Sequence, residues 1–395
     1  MSRRNVRGIM FAMEDMDTDG VVESNDVDIS EVTEGAAELD DGAAVTEDTL
    51  ATVEPLEEIA ETMDEAAEGD GLSVEAAKIA DIAIEALCGR LGFAEPKCIY
   101  SLESFGSKSS RQAATRIAAE EVWGKVKDTY NKIVAWIKEQ IEKLIVFWKK
   151  MVTVGPMLKR NLESTKAAVD KLSDKAKAPD GIFEDGGIAS ALCYGDNKKD
   201  MATINALTAA LEAAKSGIAL ADRYNVSFAP GVDPIDIPKW ISSVFHKNTG
   251  VSFIGGKTLV VKEGSENVGS TILFQNENVN ESATKCQVLQ KKAMQDSLTT
   301  ALTLIKDTEK FIKEEGKLRK AKDDAIKGLE KAMKDKDASD DTKKDNRKQI
   351  KDISTLFTNF QKVMSEFPTI AVKTAKVTNA YCQKSLSKYE KPEED

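Results

Sequence analysis

One histidine, His246, is all that 395 residues supply. A Ser-His-Asp or Cys-His device needs that residue beside a nucleophile, and the surroundings in VFHKN provide none. A cluster of histidine ligands is excluded outright. The five cysteines (Cys88, Cys98, Cys193, Cys286, Cys382) are scattered, with no C-x-x-C and no zinc spacing, which points to free thiols in a reducing compartment. Neither G-x-x-x-x-G-K-[ST] nor G-x-G-x-x-G occurs, so no phosphate cradle is signalled. No Cys/His finger or aromatic platform for nucleic acid is visible. No run reaches the roughly 18 apolar residues of a membrane span. The apolar stretch 8–13 is too short for a signal-peptide core and runs directly into acids. Nothing here argues for an enzyme, and no cofactor is implied.

Basic residues are also missing where acids abound. Between Glu14 and Asp70 there is no Lys or Arg, and aromatics are absent. Residues 1–103 hold 27 acids and six bases, a charge of −21. Residues 104–395 carry the remaining 40 acids and 49 bases, a charge of +9. The two parts attract each other and have opposite affinities for a polyanion. Residues 1–71 have little to bury and repel themselves, so they are expected to be disordered or weakly helical. Within them, Asp15, Asp17, Asp19 and Asp26 fit the D-x-D-x-D-G calcium loop, with Gly20 at the sharp turn. The twelfth position is Asp rather than the usual Glu and the flanks are poor helices, so a solvated acidic tail is the competing reading.

The rest reads as mainly α, a helical bundle with a small β insert. Aromatics at 6% and charged residues at 31% suit well-solvated helices. Ser73 can cap a helix carrying Ile79, Ile82, Ala83, Ala86 and Leu87, and residues 72–103 hold that helix and an open linker broken at Pro96. Ser109 or Ser110 can cap the next helix, which Gly155-Pro156 is expected to end, giving an amphipathic hairpin over 104–178. Its apolar face gathers Trp123, Tyr130, Trp136, Ile137, Leu144 and Trp148 among many Lys. Such a face either packs in a bundle or lies in a lipid interface. Over 179–281 the sequence predicts an Ala-rich helix at 200–224 and a hairpin around Gly255-Gly256, with Thr271–Phe274 as a third strand. Over 282–395 it predicts a long helix to about 336, with the narrow stripe of a coiled coil, and closing helices at 343–366 and 368–389.

The junction between the two charge regimes is CIYSLESFGSKSS, residues 98–110. The pattern S-x-E occurs only at Ser73-Val74-Glu75 and Ser101-Leu102-Glu103. The second, followed by Ser104 on a Gly/Ser-rich linker, is an accessible protease substrate.

These residues, the acidic segment before them and the Trp/Lys helix VWGKVKDTYNKIVAWIKEQIEKLIVFWKK after them resemble the internal head proteins of phiKZ-like giant tailed phages. The likeness is concentrated over about 95–155. It implies a virion structural protein made with a propeptide and packed into the assembling head in the host cytoplasm. It further implies a cut after S-x-E by the phage prohead protease. Carried over, Glu103–Ser104 is the scissile bond, with Ser73-Val74-Glu75 second. The implied partners are that protease, other head or inner-body proteins, and packaged DNA in non-specific contact. Two rivals stand beside this reading. One is a membrane-active ejected protein using the 110–154 helix; the other is a cytosolic scaffold with an unprocessed acidic tail.

Overall fold

The computed structural model describes residues 27–99, 101–173, 181–194, 200–223, 251–262, 271–276, 279–313, 320, 323–329, 331 and 340–389. The candidate calcium loop and His246 lie outside the described residues.

The acidic segment departs from expectation. Residues Ser30–Glu68 form a 39-residue helix, α1. Ala, Glu, Leu and Met are good helix formers. Val32, Ala36, Leu39, Ala43, Thr46, Leu50, Val53, Leu56 and Ala60, spaced three and four apart, are all buried. The stripe is built of small residues, which is why composition hides it. Helix α1 turns into α2 (Val74–Arg90) at Gly71, whose φ of +72° favours glycine. A Cβ there would also lie 2.5 Å from the backbone of Arg111. Ser73 caps α2, accepting from Ala76 N–H at 3.2 Å. The face that α2 buries is Ala77, Ile84 and Cys88, whereas Ile79 and Ile82 are 70% and 63% exposed.

Helix α3 spans Lys108–Asp170, 63 residues, and is capped by Ser107 rather than Ser109 or Ser110. Gly155 and Pro156 lie inside it, so the expected hairpin does not form. A proline in a helix interior costs ~3 kcal/mol. Packing outweighs that here, because Leu144, Met151, Leu158 and Thr165 keep a seven-residue spacing through the proline and are all buried. Gly155 sits against Glu309, where a larger residue would crowd the carboxylate.

After α4 (Gly186–Leu192) and α5 (Ile204–Arg223), helix α6 covers Lys291–Lys313 and α7 covers Asp340–Leu386. The two closing helices expected at 343–366 and 368–389 are one, with Pro368 inside it. Strands β1 (Ile182–Glu184), β2 (Met201–Ala202) and β6 (Lys285–Gln287) form one small sheet in the order β1-β6-β2. Strand β6 pairs antiparallel with β1 and parallel with β2. It occupies sequence expected to be helical and stitches across the boundary drawn at 281. Strands β3 (Ser252–Phe253), β4 (Lys257–Lys262) and β5 (Thr271–Asn276) form the expected antiparallel sheet, turning at Gly255-Gly256. That sheet braces α7: Asn359 Oδ1 accepts from Ile272 N–H at 2.8 Å, and Phe253, Phe274 and Phe367 cluster at 5.3–6.4 Å.

The segments share one apolar core. At its centre lies α7, against which α1, α3, α5 and α6 all pack. Its buried hydroxyls are satisfied along the helix: Ser354, Thr358, Thr369, Thr374 and Thr378 each donate to the carbonyl four residues back, at 2.7–2.9 Å.

Candidate functional site

Two features set this molecule apart: the seam where acidic α1 seats on α3 and α7, and the loop that joins the acidic half to the basic one.

The seam is apolar with charges set into it. Val32, Leu39, Leu50, Val53, Leu56 and Met63 of α1 are buried. At about 1.5–3 kcal/mol per side chain, they contribute on the order of 10 kcal/mol before entropy is counted. Glu57, on the same face, is met by Lys351 at 2.7 Å, by Arg347 at 3.2 Å and by the Tyr130 hydroxyl, which donates at 3.0 Å. Burial, and then the Glu57 charge, push the Tyr130 phenol well above its ordinary range. Arg347 also reaches Glu61 at 3.3 Å and lies 4.3 Å over the Trp123 ring, whose indole N–H donates to Asp64 at 2.6 Å. Lys362 is buried, with Glu47 at 2.6 Å. At Gly42 three helices meet. The Gln361 amide donates to the Leu39 carbonyl and, at 3.3 Å, to Gln140, which fills the space a Cβ on Gly42 would take. Buried charges of this kind add less stability than their attraction suggests, but one left alone is costly, so a shift of α1 that parted these pairs would be penalised.

The face expected to pack or to meet lipid is in the bundle. Tyr130, Ile137, Leu144 and Trp148 are buried, and Trp123 and Trp136 are half-buried against the core. Trp148 donates its indole N–H to the Met364 carbonyl at 3.2 Å and meets the Phe311 ring at a tilt, 5.5 Å between centroids. No described helix is long and apolar enough to cross a membrane. Among the described residues, no cluster of three or more His, Cys, Asp or Glu can hold a metal.

The loop is pinned at both ends and open between. Cys98 and Ile99 are buried before it and Phe105 after it. Ser101, Glu103 and Ser104 are exposed, and Leu102 is half-buried. Leu102–Phe105 make a single 3₁₀ turn, closed by Gly106 N–H donating to Glu103 C=O at 3.2 Å. The other S-x-E is built differently. Ser73 is a helix cap and Val74-Glu75 begin α2. The Glu75 carboxyl is held below its usual range by backbone N–H and by Ser73. Cleavage there would require the first turn of α2 to unwind.

Sequence reasoning found the loop and missed the seam. The signal for α1 is present, as the three-and-four spacing of Val32 to Ala67, but Ala and Thr fill many of those positions. Its basic partners Arg347, Lys351 and Lys362 lie some 300 residues away, and nothing local pairs them with Glu47 or Glu57.

These features define a helical-bundle protein in which one exposed, pinned loop divides an acidic half from a basic half. The model of the phiKZ-like phage internal head proteins matches residues 25–214 and 194–384, and the chain belongs to that family. Membership locates it inside the virion head. No curated protein matches, and no solved structure matches.

Proposed function

We propose that this is a non-enzymatic structural component of the head interior, matured by cleavage of its Glu103–Ser104 bond by the phage head-maturation protease. The observation that carries this reading is the contrast between the two S-x-E sequences. Ser101-Leu102-Glu103 lies on a solvent-exposed single turn at the boundary between −21 and +9, whereas Ser73-Val74-Glu75 is locked into a helix cap. Exposed loop tips are the preferred sites of nicking. Packaged DNA and neighbouring head proteins are the proposed contacts of the basic half, with DNA bound without sequence preference and sensitive to salt.

The direct test is N-terminal sequencing of the protein isolated from mature particles. Ser104 at the N-terminus is the expected result, and Glu103→Ala should leave the chain whole. A protein from particles that still begins upstream of Ser73 overturns this reading. A bilayer-seeking role has less support, because the Trp and Tyr face that lipid would need is occupied by other helices.

A further inference from the structure

Cutting the connecting loop does not by itself free the acidic half. We infer that after scission at Glu103–Ser104 helix α1 stays seated on α3 and α7 as a separate chain, so that the matured product is a two-chain molecule with its acidic half still in place. This rests on the proposed cut, although it holds for any cut within residues 101–107.

Hydrolysis adds one water across the Glu103–Ser104 amide, leaving a carboxylate on Glu103 and an ammonium on Ser104. Both new ends lie in solvent and take no part in the seam. All that holds α1 remains. Its apolar stripe is buried from Val32 to Ala67. Glu47 and Glu57 keep Lys362, Lys351 and Arg347 as partners. The turn after α1 is anchored separately: Thr115 of α3 accepts from Leu72 N–H at 2.9 Å, and Lys108 pairs with Asp70 at 2.5 Å. The segment before the loop is held as well, since Lys125 donates to Glu95 C=O at 2.7 Å and Lys132 lies 4.1 Å over the Phe93 ring.

Departure of α1 would uncover Tyr130 and Gln140 of α3, which meet Glu57 and Gly42, and would take from Lys362 its carboxylate partner. Cleavage therefore does not strip −21 from the body in one step. Release needs a second event acting on α1 itself, and a cut at Glu75 is no substitute, because it too falls C-terminal to α1.

The test is made on the full chain, with the recognition sequence of a sequence-specific endoprotease inserted between Glu103 and Ser104. After complete cutting, both fragments are expected to co-elute on gel filtration at the uncut volume, in 0.15 M and in 1 M salt alike, and to part only in denaturant. The apolar stripe and the buried pairs are little screened by salt. Elution of the N-terminal fragment apart from the body at either salt concentration overturns the inference. This outcome is independent of the particle experiment. Particles lacking a Ser104 terminus sink the cleavage reading and leave co-elution standing, and separated fragments with a Ser104 terminus do the reverse.

Discussion

Trp148 donates its indole N–H to the carbonyl of Met364, the group that Pro368 leaves without its helical partner. In an α-helix the N–H of residue 368 would serve that oxygen, and proline has none. An aromatic side chain of α3 thus repairs the break in α7. Trp148→Phe is expected to lose about 1–3 kcal/mol of stability beyond the change in packing. In a Pro368→Ala background, where the backbone N–H returns, the same change should cost clearly less. Urea unfolding of the four proteins gives the coupling, and equal costs in both backgrounds would remove the repair.

Lys362 and Glu47 make a second prediction. The lysine side chain is 2% exposed and its partner carboxylate is 28% exposed. Glu47→Gln strands a buried ammonium and should lower stability by about 2–3 kcal/mol. Adding Lys362→Met should recover most of it, read as a return of the urea midpoint. A double variant as weak as the single one would mean that Glu47 acts otherwise.

Gly217 of α5 touches Phe367 of α7 so closely that a Cβ would stand 2.4 Å from its ring. Alanine favours a helix by about 1 kcal/mol over glycine, but overpacking costs about 1–3 kcal/mol. Gly217→Ala should therefore destabilise, and Phe367→Leu in that background should relieve it. A higher melting temperature for Gly217→Ala alone would contradict the close crossing.

Glu366 predicts a pH dependence. Burial raises its carboxyl above the ordinary value near 4.5, while Lys257, 2.5 Å away, pulls it back in part. The folded protein then holds this proton more tightly than the unfolded chain. Its contribution to stability is greatest below about pH 4.5, falls as pH rises through the raised folded value, and is flat above that. Relative to Glu366→Gln, the wild type should lose stability as pH rises from 4 towards 8. Urea midpoints across that range test it, and a constant difference would show that the carboxyl is not perturbed.

What local sequence could and could not disclose follows from where the forces lie. The Ser73 cap, the turn at Gly255-Gly256 with its third strand, and the stripe through Ile137 and Leu144 depend on neighbours in sequence, and all were readable. The breaks expected at Pro156 and before Pro368 follow from local backbone chemistry, which distant packing overrides. The seat of α1 was the least legible part. Acid-rich composition argued for solvation, and the side chains that reward its folding sit on a helix 300 residues later. The exposed Ile79 and Ile82 show the same limit, since periodicity marks a face without saying what meets it.

Helix α7, against which four other helices pack, also governs when the core can close. It leaves the ribosome after every element it holds, and the Gln361–Leu39 contact spans 322 residues. Until α7 is made, α1 and α3 lack the helix that completes their burial. Closing the core therefore waits on pairings made across most of the described sequence, and the entropy of closing so long a loop is lost before those contacts repay it.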